Sequence, residues 1–117
     1  MMLMNWNQLK STQELERIKS ESQEQTILIF KHSTRCSISS MALSRLERSW
    51  NEEQMAEVKP YYLDLISYRD ISNLIADEYN VPHQSPQVLV IKEGKVTYDN
   101  SHMGISYESL REAIKEN

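Results

Sequence analysis

The sequence holds one cysteine, Cys36, among 117 residues. A single thiol excludes an internal disulfide, a cysteine-rich zinc module and a secreted disulfide scaffold. Glycine and proline are scarce too, with two and three copies, which predicts abundant helix and short loops. Long hydrophobic runs are missing. The longest, Ile27 to Phe30, falls far below the ~20 residues that a membrane-spanning helix needs. Met1 to Met4 is apolar, but too short for the core of a signal peptide and without a basic lead. A cytoplasmic location with reduced thiols is therefore the expectation. Strong positive charge is also lacking. At a net charge of −4 the chain has no field for non-specific nucleic-acid binding, so neither nucleic acid nor membrane is an expected partner.

What is present is a globular balance, 39% hydrophobic and 26% charged, in a length that fits one domain over residues 1–117. Ser11 with Glu14 resembles a capping box, and Leu15 and Ile18 share one face of the helix that follows, to about Ser22. Thr26 to Phe30 is β-branched and aromatic without polar alternation, the pattern of a strand buried on both faces. A second helix follows with Ile38, Ala42, Leu46 and Trp50 in steps of four and Met41 and Leu43 beside them. Tyr61 to Leu65 is predicted as a strand with Pro60 near its start. Ile71, Leu74, Ile75 and Tyr79 mark a third helix that ends at Val81-Pro82. Val88 to Ile91 and Lys95 to Tyr98 form a hairpin about Glu93-Gly94, and a last helix starts near Ser106. A strand–helix–strand unit plus a hairpin predicts an α/β fold: a mixed sheet of about four strands flanked by helices.

Cys36 falls at the junction of the first buried strand and the second helix. Sheets of this kind place their binding crevice beyond the carboxyl ends of the strands. A helix start there offers free N–H groups and partial positive charge, both of which favour a thiolate. Lone cysteines are usually small buried hydrophobes. Here the neighbours His32, Ser33, Thr34, Arg35, Ser37, Ser39 and Ser40 are polar, which argues against an apolar niche and for a reactive thiol. Arg35 and His32 bring positive charge, and Ser39 is one turn on, within reach of the sulfur. Ser85-Pro86-Gln87 directly precedes the strand at Val88, a usual place for a cis X–Pro bond. The histidines His32, His83 and His102 show no metal-ligand spacing on one helix, so no metal is expected.

Together these features resemble the thioredoxin-like superfamily, and more narrowly the YtxJ-like monothiol bacilliredoxins of low-GC Gram-positive bacteria. The segments that carry the likeness are Lys31 to Ser39, Arg69 to Asn73 with Ile75-Ala76, His83 to Gln87, and Ser101-His102. The resemblance implies a thioredoxin-like domain with a cis-proline at Pro86 before the third core strand. It also implies a monothiol thiol-disulfide oxidoreductase that removes bacillithiol, a cysteinyl-glucosamine-malate thiol, from protein mixed disulfides. Cys36 matches the nucleophile, and Ser85 the residue whose backbone faces the substrate. Thr34, Arg35, Ser39, Arg69, Ser85 and Pro86 are the expected substrate-binding residues, with the two arginines suited to the malate carboxylates. No tightly bound cofactor is expected. Bacillithiol is the co-substrate, bacillithiolated proteins are the partners, and the working unit is a monomer. The family often has proline after the cysteine, where this chain has Ser37. Two other functions compete: a non-catalytic thioredoxin-like adaptor, and a glutaredoxin-like iron–sulfur carrier. The second is weakened because no glycine adjoins Cys36 and no Gly-Gly pair precedes the last helix.

Overall fold

The computed structural model describes residues 6–116. Its sheet has five strands: β1 (Asn7–Gln8), β2 (Thr26–His32), β3 (Val58–Asp64), β4 (Gln87–Lys92) and β5 (Lys95–Ser101). Their spatial order is β1-β3-β2-β4-β5. β2 runs parallel to β3 and antiparallel to β4. Alternate residues of β2 therefore feed two cores. Leu28 and Phe30 pack with Ala42 and Leu46 of helix α2 (Ser37–Ser49) and Leu110 of helix α4 (Tyr107–Glu116). Ile27 and Ile29 pack with Leu15 and Ile18 of helix α1 (Thr12–Glu21) and Ile71 and Ile75 of helix α3 (Arg69–Tyr79). Tyr61 and Tyr62 divide between the same two cores.

The local chemistry explains the boundaries. Ser11 caps α1 by accepting from the Glu14 N–H, and the Glu14 carboxylate accepts from the Lys10 N–H. Asn80 ends α3 in the left-handed region, at φ 55°, which asparagine tolerates better than most residues. Glu93 and Gly94 both have positive φ, as a type I′ hairpin turn requires. Their N–H groups are held by Ser22, through its carbonyl and its hydroxyl.

Four expectations need correction. The sheet has five strands, not about four. β1 is only two polar residues long, too short for any alternation to show. It is held because its flanking residues Trp6 and Leu9 bury in opposite cores. β3 starts at Val58, so Pro60 lies within the strand. Its carbonyl accepts from the Asn7 side chain, on the side where β1 has not yet begun, so the missing N–H leaves no ladder bond unmade. On α2 the buried stripe is Ser39, Ala42, Leu43 and Leu46, while Ile38 is 48% exposed. Leu74 of α3 is exposed as well.

Phe30 is fully buried and meets Trp6 edge-on. Phe30→Ala should lower the unfolding free energy by about 3–5 kcal/mol. Urea denaturation checks this; a loss below about 1 kcal/mol would contradict the two-core account.

Candidate active site

The carboxyl end of β2 is the fixed point of the site. Past His32 the chain turns at Ser33 to Cys36, where the Cys36 N–H donates to the Ser33 carbonyl at 3.2 Å. Cys36 is then the N-cap of α2, with extended backbone, and its carbonyl accepts the first helical bond, from the Ser40 N–H. Cys36 is partly exposed, and its side chain makes no capping bond. No acidic residue occupies the first turn of α2. A negative sulfur here would face the positive end of the helix without a competing carboxylate. Thr34 and Arg35 are exposed on the same loop.

The Ser85–Pro86 peptide bond is cis. Lys31 pairs with Gln87 across β2 and β4. Buried Pro86 directly precedes Gln87, so it lies at the end of the sheet from which the cysteine loop leaves. The Pro86 carbonyl accepts from the His102 N–H at 3.1 Å. Arg69 is exposed as the first residue of α3, beyond the carboxyl end of β3. Thr34, Arg35, Cys36, Arg69, Ser85 and Pro86 thus share one end of the sheet. Two larger clefts, of about 750 and 800 Å³, both include Thr26 at the far end of β2 and have no part in thiol chemistry.

Ser39, expected within reach of the sulfur, is tied to the strand end and the loop just before Cys36. It is wholly buried. Its hydroxyl accepts from the Ser33 N–H at 3.1 Å and lies 2.7 Å from His32 Nδ1. Burial lowers the His32 pKa against the opposing pull of Asp64 and Glu47. The tautomer of the His32 ring sets the direction of that bond, with the Ser39 hydroxyl as donor when Nδ1 carries no proton. The serine braces the loop that carries Cys36.

A polar cluster on the other face escaped the sequence analysis. Lys31 is wholly buried, and its ammonium donates to the Ser72 carbonyl at 3.1 Å. The Ser72 hydroxyl lies 3.1 Å from His83 Nδ1. Gln87 donates to the Pro82 carbonyl and accepts from the Gln84 N–H, which organises the segment before Pro86. Desolvation brings the Lys31 pKa down to about 8. Burial, then Lys31 and Arg69, lower that of His83. The one signal in the sequence was a lysine inside an otherwise apolar strand.

Residues 7–110 match the model of the monothiol bacilliredoxin BrxC family. The chain belongs to that family. Among solved structures, an inferred oxidoreductase with a thioredoxin fold is 30% identical, with a TM-score of 0.78 over 91% of this chain and 90% of that one. Thioredoxin from Fasciola hepatica is 21% identical, with a TM-score of 0.70 over 94% and 97%. Mitochondrial thioredoxin 3 from Saccharomyces cerevisiae, in its oxidised form, is 16% identical, with a TM-score of 0.72 over 98% of each chain. The last two establish the fold. The bacilliredoxin is a thioredoxin-fold thiol oxidoreductase by family, and none of its described helices is long and apolar enough to cross a membrane.

Lys31 gives this bacilliredoxin a pH signature. The folded protein releases the Lys31 proton near pH 8, while an unfolded lysine keeps it to ~10.4. The unfolded chain then binds more protons, so stability should rise with pH across that window, by a total on the order of 3 kcal/mol. Denaturation from about pH 7 to 9.5, below tyrosine ionisation, should show the rise in the wild type and a flatter curve in Lys31→Met. Parallel curves for the two proteins would refute the assignment.

Proposed function

We propose that the chain removes bacillithiol from protein mixed disulfides, with Cys36 as nucleophile. The observation that carries this is the pairing of one cysteine at a helix N-cap with a buried, hydrogen-bonded serine at the position three residues on. The Cys36 thiolate attacks the bacillithiol sulfur of the modified protein. The old S–S bond breaks, the protein thiolate leaves and takes up a proton, and bacillithiol remains on Cys36 as a mixed disulfide. A second cysteine at position 39 would displace it, but serine stands there. An outside thiol must therefore attack, most simply another bacillithiol, which leaves bacillithiol disulfide and the Cys36 thiolate. A bound tripartite thiol would present its malate carboxylates to Arg35 and Arg69, beside Thr34, with the Ser85 backbone facing it across the groove. The setting that suits this cycle is the reducing cytoplasm of a Gram-positive bacterium, with the protein as a monomer.

Incubation with bacillithiol disulfide should add one bacillithiol mass, and Cys36→Ala should abolish both that adduct and release from a bacillithiolated model protein. Release should be faster with bacillithiol than with glutathione as the resolving thiol; equal rates would sink the bacillithiol preference and leave thiol exchange standing.

Ser39→Cys is a second test. A thiol at that position should expel bacillithiol from Cys36 and close an internal disulfide between Cys36 and the introduced sulfur. Intact-mass measurement would then find the oxidised variant two hydrogen atoms lighter and free of adduct. Persistence of the adduct would show that position 39 cannot reach the sulfur.

A further inference from the structure

Four large apolar side chains are exposed among the described residues: Ile38, Met41, Leu74 and Met103. Three of them surround one helix. Ile38 and Met41, at 48% and 64% exposure, lie on α2 just after Cys36. Met103, at 73%, sits on the 3₁₀ turn His102–Gly104, which packs against α2. Arg45 Nη2 donates to the Ile105 carbonyl at 3.3 Å and fastens the helix to the end of that turn. Ile38, Met41, Arg45 and Arg48 follow one another at helical steps of three and four, so they form a single stripe. The half nearer the thiol is apolar and the far half is cationic, with Arg35 exposed at the thiol end. The one acid of α2, Glu47, accepts from the Trp6 indole N–H at 2.9 Å. Arg35, Arg45 and Arg48 enter no ion pair among the described residues. A chain of net charge −4 thus carries a cationic patch on the far half of α2, with Arg35 beside its cysteine.

We propose that this face docks the substrate polypeptide, and that the segment it fits carries apolar residues beside the modified cysteine and acidic residues further along. The proposal rests on Cys36 thiol exchange but not on the identity of the small thiol. Ile38, Met41 and Met103 offer contact without direction, and methionine adapts to varied side chains. The arginines supply the charge preference and speed encounter with an acidic chain. The acidic remainder of the surface repels the same chain, so the partner is steered to α2. Leu74, on α3, is outside the face.

The test uses two cysteine peptides with the same apolar residues, one flanked by aspartates and one by lysines, each as a mixed disulfide with thiopyridine. Cys36 attacks the peptide sulfur and expels pyridine-2-thione, which is followed by absorbance. Dithiodipyridine serves as the disulfide without a polypeptide. The wild type should react about five- to tenfold faster with the acidic peptide at low salt, and the gap should close as salt rises. Arg48→Glu should erase or invert the preference, and Met41→Ser should slow both peptides. Neither variant should alter the rate with dithiodipyridine. Equal peptide rates in the wild type, or a preference unmoved by Arg48→Glu, would overturn the proposal. So would sedimentation showing a wild-type dimer that Met41→Ser dissociates, which assigns the face to a second copy. A wild type that discriminates between the peptides yet releases no bacillithiol would support the docking face and defeat the proposed function.

Discussion

β2 is held on both edges and covered on both faces. Its backbone pairs with β3 on one side and β4 on the other, and Ile27, Leu28, Ile29 and Phe30 are all fully buried. Such a strand has no freedom to slip, because a shift of one residue would exchange its two cores. Whatever follows its carboxyl end is therefore set in space before any local bond is made. The short Ser33–Cys36 turn inherits that position, and α2 starts where the turn releases it. The site end of β4 is tied to the same strand through Lys31 and Gln87, so the cysteine loop and Pro86 are positioned by one element.

Two side chains at the end of β2 then extend the constraint in opposite directions. His32 turns toward α2 and meets the Ser39 hydroxyl; Lys31 turns toward α3 and meets the Ser72 carbonyl. Each is polar in a place where an apolar residue would pack, and each costs desolvation, as their lowered pKa values record. The gain is definition at the site end of the sheet: one helix start is locked to the thiol loop, the other to the segment before Pro86.

The elements that could be read in the sequence are those whose burial is repeated along the chain. Thr26 to Phe30, the Ser11 cap and the Glu93-Gly94 turn are such cases, and Cys36 at a strand-to-helix junction followed from them. β1 could not be read because two polar residues carry no period and are held by the flanking Trp6 and Leu9. The face of α2 was legible at Ala42, Leu43 and Leu46 but not at its start, for a related reason. Its first buried residue is Ser39, and a serine inside a core looks like solvent to any hydrophobic pattern. Lys31 was hidden in the reverse sense, since a lysine near a strand end passes for the place where the strand meets water. In both instances the deciding fact is a hydrogen-bond partner outside the element itself, at the end of β2 for Ser39 and on α3 for Lys31.

The seclusion of Lys31 has a consequence for how the molecule can be watched. Its amine lies under α3 with no accessible surface, so an acylating reagent in water reaches it only when that helix lifts from the sheet. Every other lysine in the described chain is at least partly open to solvent. Acylation at position 31, timed against the rest, would act as a clock for opening of the site's far wall.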